Sequence, residues 1–374
     1  MAVAYGLPCT ALFLLLSSVT MTGHSIPRGI GVAHKLLMCA IVIALTPTSL
    51  YGQTVSTETE VTVSRSTDGT TGAAAQVRLF GDTRDDWQFF LESTWGLVNG
   101  TEYSDAFSSA YPYDGRLRPM ELYVEKTRHS DGGALVGLRA GRYRTPFGIS
   151  GRSDHAYLGF TRAPLIRNPW NWALSSSTYM DMGGDLLVGR PSFTVETSLG
   201  VPSDEGDAPR RLGFTGVVRA QTFVRSVIFG ASYINSPVGD TDPSVFGRLK
   251  LQGIDGRWMH GGVLLRGEWL AGRSDAESTT RGGYLDFIGH HRMMGRVTLV
   301  ARVERLDWDY PKKPELSAYP RRATVGARIR IMPEVHVQAG VLRNFARTPG
   351  PGDAFSAVTP STAFDLQVSF ARRF

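Results

Sequence analysis

The chain has 374 residues, an ordinary hydrophobic content of 42%, a mean hydropathy of −0.11 and a formal charge of +6. A bundle of membrane-spanning helices would be greasier; a transmembrane barrel, half of whose strand residues face water, would not. Both cysteines, Cys9 and Cys39, lie near the start, so the rest of the chain has no disulfide framework, thiol catalysis or Cys-based metal site.

Residues 1–52 read as a signal or targeting region. Apolar runs at 11–19 and 36–45 are both too short for a comfortable membrane span. The second follows His34 and Lys35 and leads into Thr46-Pro47-Thr48-Ser49, the order of a secretory signal, with cleavage expected after Gly52. The first run is a second signal-like segment or the product of a start assigned too early. Arg28 and Lys35 are the charged residues before Gln53, so 53–374 carries +4 of the +6, a mild excess that helps attract anions.

After Gln53 no segment sustains a helical period, and short alternating stretches recur. Strands are predicted near 57–65, 73–81, 86–96, 118–127, 134–144, 179–188, 191–199, 211–220, 224–234, 245–255, 260–270, 281–290, 294–305, 320–331, 334–344 and 363–373. That is about sixteen, the even number a bacterial barrel requires. Connections sort by parity. Short turns fall near Asp82–Asp85, Arg128–Gly133, Gly189–Arg190, Thr222–Phe223, Arg257–Met259, His291–Met293 and Met332–Pro333. Long ones fall at 97–117, 145–178, 200–210, 235–244, 271–280, 306–319 and 345–362. A barrel with short inner turns and long outer loops gives this order, and a soluble sandwich has no reason to.

The strands have two faces. Val297, Leu299, Ala301 and Val303 oppose Arg302 and Glu304; Val325, Ala327 and Ile329 oppose Arg322, Arg328 and Arg330; Val263, Leu265 and Trp269 oppose Arg266 and Glu268. A charge at the lipid midplane costs about 2–4 kcal/mol, so the charged faces look inward and line the pore. Arg78, Arg139, Arg219, Arg248 and Lys250 join them, with Glu92, Glu121, Glu125, Glu196 and Asp365 as acids. Rings of basic residues line anion pores, although mixed charges also serve simply to hydrate and pair within a lumen. Trp87, Trp95, Tyr123, Tyr233 and Trp269 fit interface girdles or lipid-facing filler.

The long connection at 145–178, the third loop when the one between the first two strands is counted, follows Gly141-Arg142-Tyr143-Arg144-Thr145-Pro146-Phe147-Gly148. Pro146 ends a strand, and Gly148 and Gly151 allow a sharp change of direction. At about 34 residues the loop is too long for mere connection. Folded inward, it brings Arg142, Arg144, Arg152, Asp154, His155, Arg162 and Arg167 to a constriction that favours anions, with Asp154 moderating them. Standing outside, its arginines would meet lipopolysaccharide phosphates. The Arg142–Gly148 motif resembles that of the phosphate-selective porin (porin O and P) family. The resemblance implies a trimeric sixteen-stranded barrel whose third loop enters the pore.

The last strand places Phe364, Leu366, Val368, Phe370 and Phe374 at period two against Asp365, Gln367 and Ser369, with Arg372 on the apolar face. It resembles the closing strand of outer-membrane barrels, whose terminal Phe is read by the barrel-assembly machinery; Phe370 and Phe374 are the assembly signal on this reading.

His290 and His291 lack further ligands at metal spacing, and Ser153-Asp154-His155 has triad residue types without triad geometry. No nucleophile elbow, P-loop or dinucleotide fingerprint appears, so no cofactor is expected. Barrel periodicity accounts for the interleaved basic and aromatic residues without nucleic acid. The expectation is an all-β, transmembrane antiparallel β-barrel over 53–374 in the bacterial outer membrane. It would serve as a passive porin for small hydrophilic solutes, with outer-membrane lipid around it and no enzymatic activity. The alternatives are a barrel hydrolase with a Ser-His or Asp-His pair at the rim, or a non-conducting structural or adhesin barrel.

Overall fold

Period-two alternation specifies a strand with two unlike faces, and such strands leave no unpaired edge only when the sheet closes on itself. Here sixteen antiparallel strands close into a barrel, each bonded to its sequence neighbours and the last to the first. The computed structural model describes residues 55–82, 87–99, 114–149, 158–167, 179–202, 213–238, 247–274, 277–290, 296–314, 317–345 and 361–374. The expected targeting region, 1–52, lies outside them.

The strands are β1 (Val55–Ser66), β2 (Thr71–Asp82), β3 (Trp87–Asn99), β4 (Asp114–His129), β5 (Leu135–Arg144), β6 (Tyr179–Arg190), β7 (Phe193–Pro202) and β8 (Thr215–Val224). There follow β9 (Val227–Val238), β10 (Gly247–His260), β11 (Val263–Arg273), β12 (Thr279–His290), β13 (Val297–Asp309), β14 (Arg321–Arg330), β15 (Val335–Asn344) and β16 (Ser361–Arg373). Every predicted strand is present, most of them extended by a few residues.

Turn chemistry places the hairpin ends. Gly261 and Gly262 sit at φ +60° and +86°, the pair of positive values a type I′ turn needs. The β10–β11 turn therefore falls there and not at Arg257–Met259. Arg225, at φ +53°, marks the β8–β9 turn at Arg225–Ser226, three residues past Thr222–Phe223. The expected long connection at 271–280 is short, because β11 and β12 run on to Arg273 and Thr279 and Ser274 bonds Ser278 through backbone and hydroxyl.

The barrel seam pairs β1 with β16 from Glu58↔Arg373 to Ser66↔Asp365. Phe374 extends it, exchanging backbone hydrogen bonds with Thr57 at 2.8 and 3.2 Å. The Arg372 guanidinium stacks 4.9 Å over the Phe374 ring, which gives a charge on the apolar face a partner at the rim.

The outer face carries exposed Leu138, Leu186, Phe229, Ile254, Leu285, Val303, Val325 and Ile329. Arg248 and Lys250, expected inside, are exposed on this face, and Leu249 and Leu251 are buried inside instead. Tyr123 also turns inward, stacked 5.2 Å from Phe90 with Arg139 over its ring at 4.7 Å.

Deleting Phe374 removes both backbone bonds to Thr57, each worth about 0.5–1.5 kcal/mol net. The variant should convert from the compact to the unfolded gel band at a lower temperature than wild type and refold more slowly.

Candidate functional site: a loop cradled inside the barrel

The 145–178 loop enters the lumen in the parts that are described. Its described parts, 145–149 and 158–167, bury Phe147, Ile149, Phe160, Leu165 and Ile166 inside the barrel. Two apolar clusters receive them. Phe147, Ile149, Leu165 and Ile166 pack with Val217, Ile234, Leu249, Leu251, Leu270 and Leu306 of β8–β11 and β13. Phe160 packs with Ile288 and Val300. Inward-facing apolar residues on β8–β13 thus have a physical reason: they face the loop, not water.

Burial of irregular backbone carries N–H and C=O groups into the interior, and each needs a partner. Charged wall residues supply them. The Gly148 amide donates to Ser232 Oγ at 3.1 Å and the Ile149 amide to Glu268 Oε2 at 3.1 Å. The Arg219 guanidinium donates to the Gly148 carbonyl while pairing with Asp255 at 2.8 Å. The Leu165 amide donates to Glu304 at 2.6 Å. Arg302 donates to the Arg162 carbonyl at 3.0 Å, and Arg322 to the Ala163 carbonyl at 2.7 Å. Asp286 holds Arg302 at 2.6 Å and Arg266 at 2.9 Å, and Glu304 holds Arg322 at 2.5 Å.

Arg162 fastens the loop to the seam. It forks onto Asp365 of β16 at 2.6 and 2.8 Å, and reaches Ser66 at 3.0 Å and Asp68 at 2.9 Å. Thr161 adds a hydroxyl bond to Asp365 at 3.0 Å. Burial raises the Asp68 carboxyl, but Arg162 and the Thr70 hydrogen bonds outweigh it and leave it lowered to about 2. Two glycines permit the close approach. Gly148 lies at φ +59°, where a Cβ would run into the Glu268 carboxylate, and Gly159 lies at φ +103° against Val300.

The opposite wall is different. On β1–β5, Arg78 bridges Glu58 and Glu92, Arg144 binds Glu92 and lies 3.5 Å from Glu121, and Arg139 binds Glu125. Glu58, Glu125 and Arg139 keep 25–28% of their side-chain surface exposed, Arg78, Arg144 and Glu121 12–14%, and Glu92 2%, so the ladder borders open space at Glu58, Glu125 and Arg139 and is closed at its centre.

Among the residues expected at a constriction, the loop itself delivers Arg162, as a tether. Arg144 joins the β3–β4 ladder, and Arg142 binds the Met120 carbonyl and Asp181. Arg167 ends a short 3₁₀ helix, Leu165–Arg167. Arg152, Asp154 and His155 lie outside the described residues. Of the expected lining, Glu268, Arg302, Glu304 and Arg322 cradle the loop, Arg266 supports the cradle through Asp286, and Arg328 and Arg330 lie nearer the short-turn end of β14. Sequence reasoning missed Asp68, Ser232, Asp255 and Asp286. The apolar inward faces of β8–β11 were the signal available for a buried loop.

Gly148→Ala should displace the loop from Glu268 and lower conformational stability by about 1–3 kcal/mol, read by urea titration of the folded band. A carboxyl lowered to about 2 from 3.8 contributes stability that is complete above about pH 4 and is lost as the pH falls through about 2. Protease cleavage within 150–163 should therefore increase as the pH drops through that window. Asp68→Asn should show increased cleavage at neutral pH.

The sequence matches no protein-family model and no curated protein sequence. Similar solved structures do exist. OmpF of Salmonella typhi, in complex with daunomycin, superposes with a TM-score of 0.60 at 11% identity, over 87% of this chain and 100% of that one. OprB of Pseudomonas putida gives 0.58 at 10% identity, over 86% and 94%. An anion-selective porin of Comamonas acidovorans gives 0.53 at 10% identity, over 86% and 99%. These likenesses establish the fold of the chain as that of the porin-like barrels.

Proposed function

We propose that the chain is a passive diffusion channel of the bacterial outer membrane for small hydrophilic solutes, and not an enzyme. The observation that carries this reading is the division of the lumen. The loop is packed and bonded against β8–β14 and the seam, while Glu58, Glu125 and Arg139 of the β1–β5 ladder stay exposed to the lumen. A plugged, non-conducting barrel would bury both walls. The belt of exposed aliphatic and aromatic residues supports a membrane setting, since patches of this size are not left facing water. The folds of OmpF, OprB and the Comamonas porin support it by analogy alone. Assembly as a homotrimer belongs to the same proposal, with Leu117, Met182, Leu199 and Phe214 on β4–β8 and the adjoining loop as the face it would cover.

The channel is general, without specificity for phosphate. The basic residues of the Arg142–Gly148 motif support this, because Arg142 serves Asp181 and Arg144 serves Glu92. Wall acids at Glu58, Glu60, Asp185, Asp255 and Asp286 further offset the arginines. A mild anion preference is assigned to Arg328 and Arg330, on the inward face of β14 toward the short-turn end, from their charge and position there.

Purified protein in a planar bilayer should give stable, ohmic single channels. Arg162→Ala leaves Asp365 buried without its counter-charge, a change that costs about 3–5 kcal/mol locally. Its channels should be larger and noisier. Arg328→Glu with Arg330→Glu should shift the reversal potential across a salt gradient toward cations, and Arg162→Ala should shift it less. Absence of conductance in the wild-type protein would overturn the channel reading.

A further inference from the structure

The outer face at the long-loop end is uneven. Over six consecutive strands it carries a run of cations: Arg248 and Lys250 on β10, Arg273 on β11, Arg281 on β12, Arg305 on β13, Arg321 on β14 and Arg343 on β15. The register makes the run continuous. Lys250 pairs with Arg273, Ala271 with Arg281, Gly283 with Arg305, Arg305 with Arg321, and Ala323 with Arg343. The acids at this level of the six strands are Asp307 and Asp309. Asp307 gathers three guanidiniums, Arg281 at 3.1 Å, Arg305 at 2.5 Å and Arg321 at 2.6 Å, and Asp309 is bonded by Tyr319. One buried carboxylate thus fixes three arginines side by side, with Arg281 still 59% and Arg305 47% exposed.

Directly beneath, on the same outer face, lies an apolar groove of about 720 Å³. Phe229, Ile254, Trp269, Leu285 and Val303 wall it, and Arg305 reaches its upper end. Gly256, Gly267 and Gly283 open it by leaving the floor without side chains. A fixed set of guanidiniums above a predominantly apolar slot matches one ligand chemistry: phosphate on a headgroup and an acyl chain below it.

We propose that β10–β14 hold a specific binding site for the phosphorylated glycolipid of the outer leaflet. Its phosphate is bound by Arg281, Arg305 and Arg321, and an acyl chain lies in the Gly256–Gly283 groove. The proposal rests on the membrane reading above. Asp307 sets the site by holding the arginines in place, and the neighbouring cations of β10, β11 and β15 extend its field to a second phosphate.

The test is native mass spectrometry of the full barrel, extracted in detergent and incubated with diphosphoryl lipid A, with the same lipid stripped of phosphate, or with phosphatidylglycerol. Wild type should retain the diphosphoryl lipid at least tenfold better than either control. Arg281→Gln with Arg305→Gln and Arg321→Gln should abolish that preference. Lys126→Gln with Arg128→Gln and Arg190→Gln, at the opposite end, should keep it. Should the first triple variant lose the compact gel band, Arg281→Gln alone, with one bond to Asp307, carries the test. Gly256→Val should weaken retention without changing charge, because a Cβ there meets Phe229 at 3.7 Å and fits the strand. Equal retention of the stripped lipid or of phosphatidylglycerol, or equal loss in the opposite-end variant, overturns the proposal. Insertion of wild type into vesicles reads the membrane placement separately: without insertion the channel reading falls, and with insertion but no lipid preference only the lipid site falls.

Discussion

Irregular backbone buried away from water needs a hydrogen-bond partner for every N–H and C=O it brings. That constraint organises the interior of this barrel. The third loop gives up water at Gly148, Ile149, Arg162, Ala163 and Leu165, and at each the wall replaces it with a charged or hydroxyl side chain. The carbonyls take arginines and the amides take carboxylates or a serine. Each of those arginines in turn has its own acid: Asp255 for Arg219, Asp286 for Arg302, Glu304 for Arg322. Replacing either member by an apolar residue would leave a buried charge alone, which is why the charges come in pairs.

The consequence is a lumen with two unlike walls. Against β8–β14 the interior is packed as a protein core, with Ile149, Ile166, Leu249, Leu251 and Leu270 fully buried. Against β1–β5 it is a ladder of ion pairs, exposed at Glu58, Glu125 and Arg139. Charges in the first wall position backbone; charges in the second pair with one another beside open space. The same residue types therefore do different work according to which strand carries them, and an inventory of inward arginines overstates the field a passing ion would feel.

Much of the fold is legible in the sequence because period two is local. Val325, Ala327 and Ile329 against Arg322, Arg328 and Arg330 announce their faces without any knowledge of partners. The inward loop is legible in its length and in the Pro146-Phe147-Gly148 bend. The cradle is not, because it depends on which strands the loop lies against. Leu249-Lys250-Leu251 shows this. Alternation alone fits either face, and the assumption of a wet lumen sends Lys250 inside. The loop reverses that choice by making the interior apolar at that level. Arg162 reads as a free cation in the sequence, since Asp365 is some two hundred residues away and becomes its neighbour only through closure of the barrel. The β10–β11 hairpin end departs from expectation for a simpler reason: Gly261-Gly262 is a stronger turn signal than Arg257–Met259, and the strands run on to meet it.

Hydrogen–deuterium exchange of the loop amides tests the central claim most directly. The Ile149 and Leu165 N–H groups, bound to Glu268 and Glu304 inside the barrel, should exchange as slowly as the strand amides of β11 and β13. Glu268→Gln and Glu304→Gln should release the matching amide alone. Exchange of both amides at the rate of free loop backbone in the wild-type protein would contradict the account, because the loop would then not be held inside the lumen.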